Sequence, residues 1–406
     1  MTTAASPALQ PGLTSSAAAA AAPAERLASI DILRGVVMVL MVLDHVRDFF
    51  HVHAASFDPL DPERSWALLY ATRWVTHFCA PVFVLLAGVS AFLQLARGKP
   101  RAEVARLLVT RGLWLVLLEL TLIAFGWSFR FDFFFLQVIW AIGLSMVALG
   151  ALVWLPWRAV LLIGVAIVAG HNLLDPIDAA DLGAWAPLWN LLLEPTVIVV
   201  QGKVYGFVAY PVLPWLGVMA LGFGLGPVFG LAGTRRRRTL ALLGLGLIGL
   251  FVALRLAHGY GDPSTWAAQA TPGRTLMDFL STSKYPPSLQ FVCMTIGPAL
   301  LLLPLLERLK GFWVEPWRTF GAVPFFFYIL HIYLVHALST AFSLAQSYPV
   351  WGVADFFRDP AAFRGFGYDL AGVYLVWIAV VAALYLPCRW FAGVKRQHPG
   401  GWMSYL

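Results

Sequence analysis

Solid apolar runs recur along the chain from Ile30 to Pro387, separated by short segments rich in Arg, Pro, Gly and Asp. They do not alternate with a period of two, so they read as helices and not as the strands of a barrel. Measured against the ~20 residues a helix needs to cross a bilayer, they predict ten spans. These lie at roughly 30–52, 72–95, 107–128, 133–153, 157–172, 205–229, 239–257, 288–306, 321–343 and 368–388. A further apolar stretch, 186–202, is broken by Glu194-Pro195 and stays open as a re-entrant segment, an interfacial helix or an eleventh span. The expected fold class is all-α, a polytopic helical membrane protein with about ten, or eleven, transmembrane helices. Residues 1–24 are Ala-, Ser-, Pro- and Thr-rich without Lys or Arg, so they lack the basic n-region of a signal peptide and read as a disordered tail. Residues 25–406 then form a single transmembrane domain with no visible internal repeat.

Composition narrows the class. The chain is 60% hydrophobic and 12% charged, about half the usual charged fraction of a soluble domain. That excludes a soluble enzyme, a disordered protein and a nucleic-acid-binding domain. The net charge of +7 then reports topology. With the N-terminus inside, most Lys and Arg fall in cytoplasmic segments, notably 97–111 and the Arg235–Arg238 run. The 173–186 loop carries Asp175, Asp178 and Asp181 without a basic residue, which suits the opposite side. Both termini are expected in the cytoplasm. Cys79, Cys293 and Cys388 have neither zinc nor disulfide-framework spacing.

The first helix carries the densest chemistry. Arg34 and His45 are eleven residues apart, three turns plus about 20°, so they share a face about 16 Å apart along the axis. Asp44, Arg47, Asp48 and His51 form a second set at i, i+3, i+4 and i+7. Ionisable groups within a span are costly and face a polar cavity or one another. Arg34 can equally be a snorkelling anchor paired with Asp31, and Asp44-His45-Arg47-Asp48 can be interfacial charge. Against those readings, acid, base and cation are stacked on one stripe. Asp48 at i+3 could hold one nitrogen of His45 and leave the other as a base.

Other polar groups lie at membrane depth. Arg73 and His77 are i, i+4 neighbours near Cys79 and Pro81. His331 sits mid-span with Tyr328 one turn before it, and His336 points elsewhere. Lys284-Tyr285-Pro-Pro-Ser288-Leu-Gln290 opens a helix whose free N–H groups form a candidate oxyanion site or an ordinary proline-capped start. Arg130, Asp132 and Gln137 mark an outer turn.

The stretch RLASIDILRGVVMVLMVLDHVRDFFH resembles the opening of bacterial proteins in the heparan-alpha-glucosaminide N-acetyltransferase catalytic-domain-like family. Further resemblance lies in residues 76–93, 210–226, 284–302, 321–336 and 388–406. The Arg34-x10-His45 spacing matches a motif of the wider transmembrane acyltransferase superfamily. The resemblance implies ten or eleven helices, a cytoplasmic acyl-CoA donor and transfer of the acyl group to an acceptor outside, usually a sugar. It also implies a catalytic histidine toward the non-cytoplasmic face. In the lysosomal enzyme of eukaryotes that histidine follows the first helix, which points to His51 or His53.

The expected function is therefore a membrane acyltransferase moving an acyl, above all acetyl, group to a sugar or glycan. The expected catalytic residues are His45, Asp48, Asp44 and His51. Arg34, Arg47, Arg73, His77, Tyr285, Ser288, Gln290 and His331 are expected to bind acyl-CoA or acceptor. No metal or permanently bound cofactor is expected, with acetyl-CoA as co-substrate. Expected partners are the bilayer of the bacterial inner membrane, acyl-CoA and a glycan, with a second copy of the chain as a further candidate and no nucleic acid. Transfer can be direct or pass through an acyl-histidine. The rival classes are a proton-coupled transporter and a haem protein using pairs among His45, His77, His331 and His336.

Overall fold

The computed structural model describes residues 28–350 and 352–398. The tail assigned to residues 1–24, Arg26 and residues 399–406 lie outside the described residues. The chain forms α1 (Ala28–Phe50), α2 (Ala67–Ala96), α3 (Arg101–Ser128), α4 (Val138–Leu152), α5 (Trp157–Leu174), α6 (Val212–Phe229), α7 (Gly233–Ala257), α8 (Leu289–Leu306), α9 (Glu315–Ala322), α10 (Pro324–Ala345) and α11 (Leu370–Gln397). Among the described residues, eight helices are long and apolar enough to cross a membrane. The other three are α1, α4 and α9. α1 has the length but carries five Asp and Arg side chains along it, from Asp31 to Asp48, and α4 is apolar but only 15 residues long. Both pack among the eight, so a helix stands at each of the ten apolar runs that predict spans.

α1 is the core of the bundle. Ile32, Leu33, Val37 and Met38 on its different faces are all essentially inaccessible, the signature of a helix surrounded by others. It crosses the short helix α9 backbone to backbone. A Cβ on Gly321 would lie 1.8 Å from the Asp31 carbonyl oxygen, and one on Gly35 would lie 1.9 Å from that of Trp317. Only glycine permits this approach. α9 thereby fixes where α10 begins relative to α1. Two irregularities also serve the site. Residues Glu119–Ile123 of α3 form a π turn, a deformation often found at functional positions. Thr76–Phe78 in α2 form a 3-10 turn just ahead of Pro81.

The expected spans need correcting in three places. Residues 186–202 are not an eleventh span. A seven-residue helix, Ala186–Leu192, is followed by β2 (Thr196–Val200), paired antiparallel with β3 (Lys203–Val208) across a two-residue turn. Both turn residues, Gln201 and Gly202, have positive φ, which suits a twisted hairpin. β3 also pairs in parallel with β1 (Phe134–Leu136). The fourth and sixth helices accordingly start later than the runs at 133 and 205 suggest. Apolar, β-branched residues such as Val197–Val200 satisfy a hydropathy window without forming a helix. Third, Arg235–Arg238 lie in the first turns of α7 and not in a loop, with Arg236 paired to Glu307 at 2.8 Å.

Candidate functional site

Two histidines meet at the centre of the bundle. His45 Nδ1 on α1 lies 2.7 Å from His331 Nε2 on α10, with the rings stacked at 4.9 Å. Both are buried. His331 Nδ1 lies 3.2 Å from the Phe327 carbonyl oxygen one turn earlier. A carbonyl only accepts, so Nδ1 of His331 carries the hydrogen. With both rings neutral, His331 Nε2 then accepts from His45 Nδ1–H. This assignment leaves the lone pair of His45 on Nε2, which makes no hydrogen bond among the described residues. The arrangement holds the His45 ring in one orientation, as a carboxylate holds the imidazole of a catalytic triad.

The expected orienting group was Asp48 or Asp44, and the structure replaces it with His331. Asp44 turns to the other side of α1. It accepts from Arg47 at 2.9 Å, from Arg73 at 2.9 and 3.0 Å and from Thr76 Oγ1 at 2.9 Å. Asp48 accepts from Arg47 at 2.7 Å. Arg47 and Arg73 thus hold carboxylates of α1 itself. Beside this cluster His77 is fully buried against Phe291, and neither ring nitrogen has a partner among the described residues. His51 closes α1 at a separate spot, near His53 and Trp66, and its Nδ1 accepts from the His53 backbone N–H at 3.3 Å.

The segment that opens α8 is knitted into its own loop. Ser288 accepts from the Phe291 N–H and donates to Asp262 at 2.6 Å. Gln290 donates to the Tyr260 carbonyl at 2.8 Å and faces Arg255. These two expected site residues are therefore a helix cap and a loop anchor, away from His45. Tyr285 packs on Tyr210, with the Lys284 amine 5.0 Å from its ring centre.

Below the histidine pair lies a cavity of about 620 Å³. At one end its lining includes Arg34, Arg111, Lys395 and Arg396. Its walls are apolar, with Met38, Phe83, Ile139 and Phe325 among them, and its inner end reaches Met41 and Tyr328. These two precede His45 and His331 by about one turn on α1 and α10. Arg34 is held in the wall by Leu86 O at 3.2 Å and Ser90 Oγ at 2.5 Å, and lies 3.6 Å from Asp31. The stripe joining Arg34 to His45 is thus the path of the cavity.

The sequence reading missed two side chains. Trp127 packs edge-on against His45 at 4.8 Å and supports Phe135 of β1 above it. Trp127 thereby links the His45 ring to the sheet. Glu119, on the π turn, is completely buried and accepts the Gln137 N–H at the start of α4 at 2.7 Å. A carboxylate suits a helix N-terminus. A Glu inside the run WLVLLELTLIAF is itself a signal, since ionisable groups at membrane depth are seldom idle. Nothing in the sequence marks Trp127 out from the other 16 tryptophans.

The family model described as "Heparan-alpha-glucosaminide N-acetyltransferase, catalytic" matches residues 26–254, more than half of the chain. That match includes α1 to α6 and most of α7, and with them His45, Trp127, Glu119 and Arg34. His331, Tyr328 and the cavity wall from α9 to α11 lie beyond it. No curated protein matches the chain.

Proposed function

Because the chain belongs to the heparan-alpha-glucosaminide N-acetyltransferase catalytic family, we propose that it transfers an acetyl group from acetyl-CoA in the cytoplasm to an amine or hydroxyl of a sugar on the other side of a bacterial inner membrane. The observation that carries this reading is the cavity, with cations at one end and a base just past the other. Acetyl-CoA has a matching polarity: phosphates at one end, a thioester at the other and an uncharged arm between. Arg34, Arg111, Lys395 and Arg396 hold the phosphates, and the apolar walls exclude water from the arm.

His45 Nε2 removes the proton of the acceptor as its nitrogen or oxygen attacks the thioester carbonyl. His331 keeps the lone pair on that nitrogen and shares the positive charge as it forms. The C–S bond then breaks, and the thiolate of CoA takes the proton from His45. An acetyl-His45 intermediate uses the same lone pair. Asp44, Arg47 and Arg73 brace α1 so that His45 keeps its place.

The deciding experiment counts CoA released from acetyl-CoA by the purified full chain, with glucosamine as acceptor probe, for wild type beside His45→Gln and His51→Ala. Release lost only in His45→Gln supports the reading. Release lost only in His51→Ala moves the base to the end of α1. Absence of both acetyl-CoA binding and turnover in the wild type overturns it.

A further inference from the structure

We propose that Tyr328 is a second catalytic residue, its hydroxyl donating to the carbonyl oxygen of the thioester, and that Trp127 positions it by donating the indole N–H to the Tyr328 oxygen. The proposal rests on the acetyl-transfer reading above and names the group that stabilises its transition state.

The starting observation is a pair of orphaned donors. Tyr328 and Trp127 are each about 3% exposed. Neither the Tyr328 hydroxyl nor Trp127 Nε1 makes a hydrogen bond among the described residues. Such a buried group costs about 1–3 kcal/mol, and native structures keep few of them. These two are not scattered, because they lie close enough to interact with each other. Both also face the histidine pair. The Tyr328 ring is 5.2 Å from His331 and 6.4 Å from His45, and the Trp127 ring is 4.8 Å from His45.

Their donor capacities set the order of the chain. An indole N–H only donates, whereas a phenol both accepts and donates. Trp127 therefore gives its hydrogen to Tyr328, whose own hydrogen remains for a third group. Only Tyr328 of the two lines the cavity, so the third group is one that occupies it. Acyl transfer needs a donor aimed where negative charge develops, in a site shielded from water. When the acceptor attacks, the carbonyl π electrons move onto oxygen and the Tyr328 O–H stabilises that charge while keeping its proton. Re-forming the C=O bond expels the CoA thiolate, and the proton held by His45 returns to it. No group beyond acetyl-CoA and the acceptor is needed.

Tyr328→Phe removes one oxygen whose one protein partner in this reading is the Trp127 N–H, so a melting curve on the same preparation separates catalysis from folding. With the full chain in detergent, acetyl-CoA and glucosamine, its kcat is expected to fall about 100-fold, as for other single oxyanion donors. The KM for acetyl-CoA should stay within about twofold and the thermal midpoint should not move. Trp127→Phe should lower kcat about tenfold alone and add nothing in the Tyr328→Phe background, the mark of one unit acting through another. A Tyr328→Phe protein with wild-type kcat, beside an inactive His45→Gln, overturns the proposal and leaves the histidine reading standing. A change confined to KM also overturns it. A wild type that neither binds nor turns over acetyl-CoA overturns both.

Discussion

Asp44 and His45 are neighbours in sequence, yet they serve two regions of opposite kind. The carboxylate of Asp44 is closed off by Arg47, Arg73 and Thr76. The imidazole of His45 keeps one nitrogen fixed by His331 and the other without a hydrogen bond among the described residues, beside two orphaned donors and the inner end of a cavity. The 100° between consecutive helical residues is what separates them. The Asp44 carboxylate is satisfied from within, whereas the histidine side keeps unpaired donors at the inner end of a cavity. In a low-dielectric interior an unmatched polar group is costly, so unmatched donors gathered at the end of a cavity mark a place suited to bind something else.

The comparison breaks most sharply at His45. His45→Gln keeps a hydrogen-bonding side chain toward His331 but has no basic nitrogen. Acetyl transfer is expected to fall about 1,000-fold, within the range of a lost general base, with the thermal midpoint little changed. CoA release and a melting curve on the same preparation check this. Asp44→Ala should do the reverse. It leaves Thr76 as the one side-chain hydrogen-bond partner of Arg73 among the described residues and costs about 3 kcal/mol, the usual result of breaking a buried pair from one side. The melting midpoint should drop markedly, while the activity of the fraction that remains folded stays within a few-fold of wild type. An Asp44→Ala protein that is stable but inactive would place Asp44 in the chemistry and erase the contrast between the two regions.

A smaller effect is expected at the far end of the cavity. Arg34→Ala removes one of four cations from the wall and should raise the KM for acetyl-CoA about tenfold at nearly constant kcat, as the loss of one charge-assisted contact predicts. Raising the salt concentration should narrow the difference, because such contacts are screened where the mouth opens to water. Unchanged donor KM would show that the phosphates bind elsewhere.

Most of this architecture is legible in the amino-acid order, and the parts that are not share a cause. Helix number follows from solid apolar runs, because a span must satisfy every backbone group internally. The strands β2 and β3 escaped because Thr196–Val208 is apolar and short, and hydropathy does not distinguish a β-branched strand from a helix. At the site, the stripe from Arg34 to His45 was readable as helical geometry. The partner of His45 was not, because it lies 286 positions away and the carboxylates beside it offered a nearer choice. Their neighbours Arg47 and Arg73 outcompete the imidazole for them, as full charges do. Glu119 was legible as an ionisable residue inside a span. Trp127 was not, since an orphaned N–H exists only in three dimensions.

Asp132 sharpens the comparison by repeating the ion cluster in water. It accepts from Arg130 at 2.5 Å and from Arg358 at 3.0 Å, while Arg130 also reaches Asp355 at 2.9 Å. The pattern is that of Asp44, but the side chains of Arg130 and Asp132 are 47% and 37% exposed. The hydrogen bond from Arg130, with Arg358 behind it, lowers the carboxyl to about 2. Its unfolded value is near 3.9, so the folded value is the depressed one. The stabilisation is therefore complete above about pH 4 and is lost as pH falls through about 2. Solvent screens such a pair, and exposed ion pairs are worth about 0.5 kcal/mol. Asp132→Asn should thus shift the melting midpoint at pH 7 only slightly, leave acetyl transfer unchanged and converge with wild type near pH 2. A loss as large as that of Asp44→Ala would mean that geometry, and not burial, sets the worth of these clusters. The expected disparity says that the same three-way contact becomes a brace for the catalytic helix only because α1 carries it into the core.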